Sequence, residues 1–148
     1  MSKTKHSKPA GLPRERIVSV ARELFYNQGY RATGINEVIQ KSGVAKATFY
    51  SHFPSKDDLG LAYLKVVKER ESAHIEKWIQ QSKGPLNRFF AVIRSLEPWL
   101  LETDFRGCGF VNMAAEVPDP KNKLLAMTDT IAVASLGDFG AQVIELTK

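Results

Sequence analysis

The sequence predicts an all-α protein, and three observations support this fold class. Apolar residues recur at helical spacing through most of the chain, proline and glycine fall between these stretches, and no segment convincingly shows strand alternation. The 148 residues correspond to about one average domain or two small ones. A single cysteine, Cys108, excludes a disulfide scaffold and a multi-thiolate metal site, and we expect no metal and no cofactor.

Positive charge is concentrated at the N-terminal end. Residues 1–56 carry ten Lys and Arg against three Glu, a net charge of +7, whereas residues 57–148 carry a net charge of −2. A basic end beside a near-neutral body predicts a phosphate-binding module attached to a part with another role; a solvated lysine-rich tail is the alternative. No apolar run approaches the roughly 20 residues that span a bilayer, so we expect a cytoplasmic protein without a membrane partner.

The N-terminal region predicts a flexible arm followed by a helix. In residues 1–12, lysines are interspersed with proline and glycine and show no apolar period, which is typical of a flexible basic arm. A first helix is predicted from Pro13, because proline suits the first helical turn, and Gly29 supplies its C-terminal end. Between these positions an apolar stripe runs from Ile17 to Phe25.

Two short helices are predicted next. The first follows Thr33, an N-cap residue type, and ends at Gly43; the second begins immediately and ends before Pro54. Two short helices joined by a glycine turn form a helix-turn-helix, here at about residues 34–53, whose second helix can enter the major groove of DNA. The apolar side chains are expected to pack inward. The residues then left on the outer face are Lys46, Ala47, Tyr50 and Ser51.

The rest of the chain predicts further helices. Ser55 is expected to cap a long fourth helix, with Asp58 in the capping-box position, that continues to about Ser82. A fifth helix carries an apolar stripe over residues 86–96 and is expected to kink or end at Pro98. The remaining predictions are a loop at 104–109, a short helix at about 110–116, a turn at 117–120 and a last helix at about 122–147.

Glycines, aromatic residues and a lysine occur with a specific spacing around the helix-turn-helix. They are Gly29-Tyr30, Thr33, Gly43-Val44 and the run Thr48-Phe49-Tyr50-Ser51-His52-Phe53-Pro54-Ser55-Lys56. This pattern, within about residues 14–63, resembles the DNA-binding domain of the TetR family of transcriptional regulators. One departure is Gly34, where many members carry a second small hydroxyl residue that is expected to contact a phosphate. A backbone N–H is the alternative donor for this contact.

The resemblance implies roles for individual residues. Phosphate contacts are implied for Thr33, Tyr50, His52 and Lys56. Contacts at or near base edges are implied for Lys46, Ala47, Thr48 and Ser51, and Asn36 is also expected to face the DNA. Hydroxyls and lysines suit phosphate oxygens, and a lysine at the start of a recognition helix can reach guanine O6 and N7. The structural alternatives are a partly buried core position for Tyr50 and helix capping by His52.

The resemblance also implies how the chain is organised and what it does. Residues 1–12 would be the arm, 13–60 the DNA-binding domain, and 61–148 a helical domain for effector binding and dimerisation. The implied function is a homodimeric repressor, not an enzyme, that leaves a pseudo-palindromic double-stranded operator when a small-molecule effector binds. Members usually have further C-terminal helices, so one alternative is a truncated core whose last helix forms only part of the pairing surface.

The second part offers candidates for a ligand pocket. They are Phe89, Phe90, Trp99, Cys108 and Phe110, although aromatic residues at helical spacing more often form a core. Cys108 is also a candidate redox sensor, or simply a small packed residue. Two rival functions are a nonspecific nucleic-acid-binding or architectural protein that uses its basic arm, and an enzyme with Cys108 as nucleophile and His74 or His52 as base. For the enzyme hypothesis, the sequence does not identify a third residue that would orient the histidine base.

Overall fold

The structure is a computed structural model that describes residues 11–128. These residues form helices α1 (Pro13–Gln28), α2 (Ile35–Ser42), α3 (Lys46–His52), α4 (Lys56–Gln80), α5 (Pro85–Glu102) and α6 (Gly109–Glu116). Residues 123–128 are also helical, and no strand occurs in the described range, so the all-α prediction is confirmed. The basic arm up to residue 10 and the last predicted helix beyond residue 128 lie outside the described residues.

The chain divides into two compact units, Met1–Tyr63 and Leu64–Lys148. In the first unit, α1 packs against both α2 and α3. Its core is built from the apolar stripe of α1 together with aromatic and aliphatic side chains of the following helices. The buried members are Ile17, Ala21, Leu24, Phe25, Val38, Phe49, Phe53, Leu59 and Tyr63. The Phe25 ring meets those of Tyr30 and Tyr63 edge-on, at centroid distances of 5.1 and 5.6 Å.

The helix boundaries of the first unit have local causes. Gly43 ends α2 with φ 64° and ψ 31°, a left-handed conformation that glycine adopts without a steric cost. This residue creates the turn of the helix-turn-helix. At the start of α4 the Ser55 hydroxyl accepts the Asp58 N–H at 3.1 Å and donates to the Asp58 carboxylate at 2.6 Å. The predicted capping of the fourth helix by Ser55 and Asp58 is therefore confirmed.

The predicted N-cap role of Thr33 is wrong. The residue that precedes α2 is Gly34, whose extended backbone supplies the cap position without a side chain. Thr33 is fully buried, and its hydroxyl donates to the Gly29 carbonyl at 2.8 Å. The threonine therefore closes the turn between α1 and α2 from the inside, because a buried hydroxyl needs a hydrogen-bond partner.

The second unit contains most of α4, together with α5 and α6. Its buried apolar residues include Leu64, Ala91, Phe110, Met113 and Leu124. Pro98 does not end α5, which continues to Glu102. The backbone hydrogen bonds from Thr103 to Trp99 and from Phe105 to Leu100 hold the end of the helix after the proline.

The apolar stripe of α5 is exposed within the described residues. The helix buries Ala91 and Ser95, whereas the large apolar side chains Leu86, Phe90, Ile93 and Leu96 are exposed. The predicted loop is confirmed as a tight corner over residues 104–108, in which Asp104 and Phe105 have φ values of 51° and 54°, whereas Gly109 already belongs to α6. None of the helices within residues 11–128 has the length and apolarity that a membrane span requires.

Candidate nucleic-acid interface and ligand cavity

Helix α3 presents two different faces. One face is buried: Phe49 is fully buried, and its ring lies 6.1 Å from that of Phe53. The residues on the other side of the seven-residue helix are exposed and mostly polar. They are Lys46, Ala47, Tyr50, Ser51 and His52, with Thr48 half-buried at the margin. The structure thus brings the predicted DNA-binding residues of α3 onto one accessible surface.

Tyr50 lies on this surface with part of its ring against the core. Its side chain is 41% exposed, and its ring meets that of Phe49 edge-on at 5.3 Å. The hydroxyl end of a half-exposed tyrosine is available to a phosphate while the ring is held in place. His52 lies exposed in the last turn of α3.

The lysines of α2 and α3 differ in their partners. Lys41 forms an ion pair with Glu37 at 3.1 Å, and Gln28 donates to the same carboxylate. The hydrogen bonds from Lys41 and Gln28 lower the pKa of Glu37. Lys46, by contrast, forms neither an ion pair nor a hydrogen bond with any residue in the 11–128 range. Its ammonium group can therefore bind a ligand without breaking a contact inside this range.

Lys56 is held in place by the end of α1. Its ammonium nitrogen lies 4.5 Å from the centre of the Tyr30 ring and 3.4 Å from the Arg31 carbonyl. Tyr30 is buried and donates its hydroxyl to Asp57 Oδ1 at 2.5 Å. Burial and this hydrogen bond raise the pKa of Tyr30 far above its usual value. The contacts of Tyr30 with Asp57 and Lys56 thus hold the first turn of α4 against the end of α1.

The remaining predicted DNA-binding residues lie on α2 or before it. Asn36 is exposed in the first turn of α2. Thr33 is not on the surface, because its side chain is buried and its hydroxyl proton is used by Gly29. Gly34 is exposed, and a side chain added there would meet nothing within 4 Å. Gly34 and Asn36 are therefore accessible to a phosphate, whereas the Thr33 side chain is not.

The second unit contains a cavity of about 280 Å³. Its apolar wall comes from Ile75, Leu96 and Trp99. Its polar wall comes from Glu71, His74, Ser95 and Cys108. The volume is close to the lower end of the range of ligand sites, roughly 300–1,000 Å³, and a mostly apolar lining with a few polar groups is typical of such sites.

The Cys108 thiol is paired with a carboxylate. Its sulfur lies 3.9 Å from Glu71 Oε2, to which it donates. Burial raises the pKa of Cys108, and the charge and hydrogen bond of Glu71 raise it further. A reactive cysteine has a lowered pKa and often a basic neighbour. The hydrogen-bond partner of this thiol is Glu71, whereas His74 donates from Nε2 to the Ser95 carbonyl at 3.1 Å. This geometry disfavours two hypotheses, namely that Cys108 is a redox sensor and that it is a nucleophile activated by a histidine.

The predicted pocket residues are only partly brought together. Trp99 and Cys108 line this cavity, whereas Phe89, Phe90 and Phe110 do not: Phe90 is exposed, and Phe110 is buried in the core. The sequence-based prediction missed Glu71, His74 and Ser95. The spacing of Glu71, His74 and Ile75 places them on one side of α4, but the spacing does not show which helix covers that side. Among the described residues, no cluster of His, Cys, Asp or Glu has the arrangement of a metal site.

The three-helix unit, whose third helix exposes a mostly polar face, has the arrangement of a helix-turn-helix. The sequence profile of the family described as "Bacterial regulatory proteins, tetR family" matches residues 17–63. In fold, the chain is similar to SCO4454, a TetR-family transcriptional regulator from Streptomyces coelicolor. The TM-score is 0.80 at 31% identity, with 88% of this chain and 71% of that chain covered. The chain therefore belongs to the TetR family.

Similar sequences carry names of the same kind. The HTH-type transcriptional regulator LmrA of Bacillus subtilis is 34% identical over 58% of this chain and 46% of its own length. The HTH-type transcriptional regulator QacR of Staphylococcus aureus is 36% identical over 51% of this chain and 39% of its own length. The chain spans about half the length of the curated relatives it matches.

Proposed function

We propose that this protein is a sequence-specific DNA-binding transcriptional regulator and not an enzyme. It acts as a homodimer on a pseudo-palindromic double-stranded operator and represses transcription until a small-molecule effector binds to its second unit. Membership of the TetR family and the names of its relatives support this function. Because such a regulator acts where the DNA is, the proposal includes a cytoplasmic location.

One observation carries the proposal: α3 exposes a mostly polar surface around Lys46, which has no ion-pair or hydrogen-bond partner within residues 11–128, while Phe49 on its other side is fully buried. A recognition helix needs this division, because its buried face fixes its position and its outer face must enter the major groove. Lys46, Ala47, Thr48 and Ser51 are assigned to base edges or their neighbourhood. Phosphate contacts are assigned to Tyr50, His52 and Lys56, with Asn36 beside them.

The structure changes this assignment at one residue. Thr33 is left out of the direct contacts because its side chain is buried and its hydroxyl serves the Gly29 carbonyl. The backbone N–H of the exposed Gly34 takes its place in the proposal, since a backbone donor at the beginning of a helix suits a phosphate oxygen. Lys56 has two roles, because its contacts with Tyr30 and Arg31 also stabilise the unit.

The proposed regulation is a shift between two populations. A dimer places its two recognition helices in successive major grooves, about 34–36 Å apart. An effector that binds more tightly to a form with a different spacing would lower the fraction of protein able to bind the operator. Helix α4 carries Lys56 in its first turn and the cavity residues Glu71 and His74 further along, so one helix connects the two regions that the proposal links.

The test is selection of DNA fragments by the purified protein, followed by binding to the best fragment and to its scrambled version at two salt concentrations. We expect a symmetric motif and a loss of about 4 kcal/mol or more on scrambling, within the usual range for specific binding. Equal affinity for both fragments, with a steep salt dependence, would instead support the nonspecific nucleic-acid-binding alternative.

A further inference from the structure

We infer that the cavity of the second unit binds a small, largely apolar molecule carrying a protonated amine, which pairs with the Glu71 carboxylate. This inference rests on the proposed function, because it names the chemical class of the effector. Its basis is the hydrogen bonding of the polar cavity residues and the environment of the carboxylate.

Most hydrogen-bond donors of the cavity wall already have acceptors. The Cys108 thiol donates to Glu71, His74 Nε2 donates to the Ser95 carbonyl, and the Ser95 hydroxyl donates to the Val92 carbonyl at 2.7 Å. Because a carbonyl oxygen only accepts, the His74 Nε2 that faces it carries a proton. The indole N–H of Trp99 is the donor that remains among the lining residues.

The group that the wall offers to a ligand is therefore mainly an acceptor, the Glu71 carboxylate. The Ser95 side chain also lines the cavity, but it is buried. A ligand with several N–H donors satisfies such a wall. An anionic ligand would face the Glu71 carboxylate with a single indole N–H to bind it, and repulsion between like charges would oppose its entry.

Within residues 11–128, Glu71 also has no cationic partner. No Lys or Arg within residues 11–128 forms an ion pair with it, and the thiol of Cys108 is its hydrogen-bond donor there. Burial raises the pKa of Glu71, which means that the ionised carboxylate has lost hydration that no protein cation replaces in this part of the chain. An ammonium group placed beside Glu71 would supply that missing interaction.

The other half of the cavity selects an apolar body. Ile75 and Leu96 contribute aliphatic surface, and the Trp99 ring offers a face that suits either an aromatic ring or an alkylammonium group. The volume of about 280 Å³ limits the ligand to a small molecule. The combination of one carboxylate with an apolar wall therefore favours a small aralkyl- or alkylamine.

The test measures binding to the full chain by calorimetry at neutral pH with three matched probes. They are 3-phenylpropylamine, a cation; 3-phenylpropanol, a neutral alcohol; and 3-phenylpropanoate, an anion. We expect the amine to bind at least tenfold more tightly than the alcohol and the anion to bind most weakly. If the unmodified protein binds the amine and the alcohol equally, or prefers the anion, the inference is overturned.

Two variants then locate the interaction. Glu71→Gln keeps the size of the side chain and removes its charge, so the preference for the amine over the alcohol should fall at least tenfold. Glu69→Gln removes the same charge from an exposed position on the same helix and should leave the preference unchanged. Thermal melting verifies that each variant is folded. If Glu71→Gln is folded and retains the full preference, the assignment to Glu71 is wrong.

Operator binding by the unmodified protein separates this inference from the proposed function. Sequence-specific DNA binding without amine binding would overturn the ligand class and leave the regulator proposal standing. If the protein binds the amine through Glu71 but does not distinguish operator from scrambled DNA, the ligand class stands and the regulator proposal is overturned.

Discussion

The two units of the molecule use their apolar residues differently. In the first unit the large aromatic residues Phe25, Phe49, Phe53 and Tyr63 are buried, and the exposed face of α3 is mostly polar. In the second unit, the described residues leave Phe90 and Phe105 exposed and form a cavity with Trp99. An apolar period therefore identifies the core of the first unit, whereas in the second unit it does not distinguish core, surface and cavity.

The largest expected effect tests the difference in burial directly. Phe49→Ala should lower the free energy of unfolding by about 3–5 kcal/mol, because it removes a fully buried ring beside Tyr50 and Phe53 and leaves a cavity. The measurement is chemical denaturation followed by circular dichroism. The matched control is Phe105→Ala in the second unit, where the side chain is 68% exposed and the change should stay within about 0.5 kcal/mol. Similar losses in both variants would contradict the contrast between the units.

The second prediction concerns the polar surface of the first unit. Lys46→Ala should weaken operator binding by about 1–3 kcal/mol and relax the preference for one base pair, because Lys46 is exposed at the start of α3 and has no ion-pair partner within residues 11–128. Binding to a library of single-base operator variants measures both effects.

Lys41→Ala is its control, since it removes the same charge from α2, where Glu37 already pairs with it. We expect a smaller loss that is similar for every operator variant. An unchanged base preference in Lys46→Ala would remove Lys46 from the base-contacting residues.

The fold of the first unit could be predicted from its sequence because its signals are local. Proline and glycine mark the ends of α1, the Gly43 turn requires a positive φ, and Ser55 caps α4 within one turn. Helical spacing within this short segment also predicts which residues of α3 face outward. Thr33 was assigned wrongly because an N-cap residue type is also a good partner for a buried carbonyl, and the sequence does not distinguish the two uses.

The cavity could not be predicted in the same way because it depends on contacts between distant segments. Glu71 and Cys108 lie 37 positions apart, and His74 and Ser95 lie 21 apart. Helical periodicity gives the face of each helix and leaves the packing of one helix against another open. The spacing of aromatic residues therefore predicted Trp99 but not Glu71, whose carboxylate group also belongs to the cavity lining.

The third prediction follows from the Glu71–Cys108 pair. Because burial and Glu71 raise the thiol pKa, alkylation of Cys108 by iodoacetamide should be slow at neutral pH and should accelerate at a higher pH than for free cysteine. Glu71→Gln removes a negative charge that disfavours the thiolate, so its rate profile should shift to lower pH. The shift should be incomplete, since burial is the largest cause and remains.

The rates are measured from pH 6 to 10 by mass spectrometry, with Glu69→Gln as the control for a general change in charge. A profile of the unmodified protein at or below that of free cysteine would contradict the paired-thiol geometry. It would also restore Cys108 as a candidate sensor.

The smallest expected effect compares one glycine from each unit. Gly34→Ser should stabilise the protein by about 0.5–1 kcal/mol, because the residue has φ −88°, an added side chain meets no atom within 4 Å, and serine is a favourable N-cap. Gly107→Ser also meets open space, but its φ of 80° should make the change destabilising by about 1–2 kcal/mol. Thermal and chemical denaturation measure whether each substitution raises or lowers the stability of the protein. If both substitutions stabilise the protein, the difference in φ does not decide their effects. If both destabilise it, a serine side chain at position 34 does not improve the N-cap of α2.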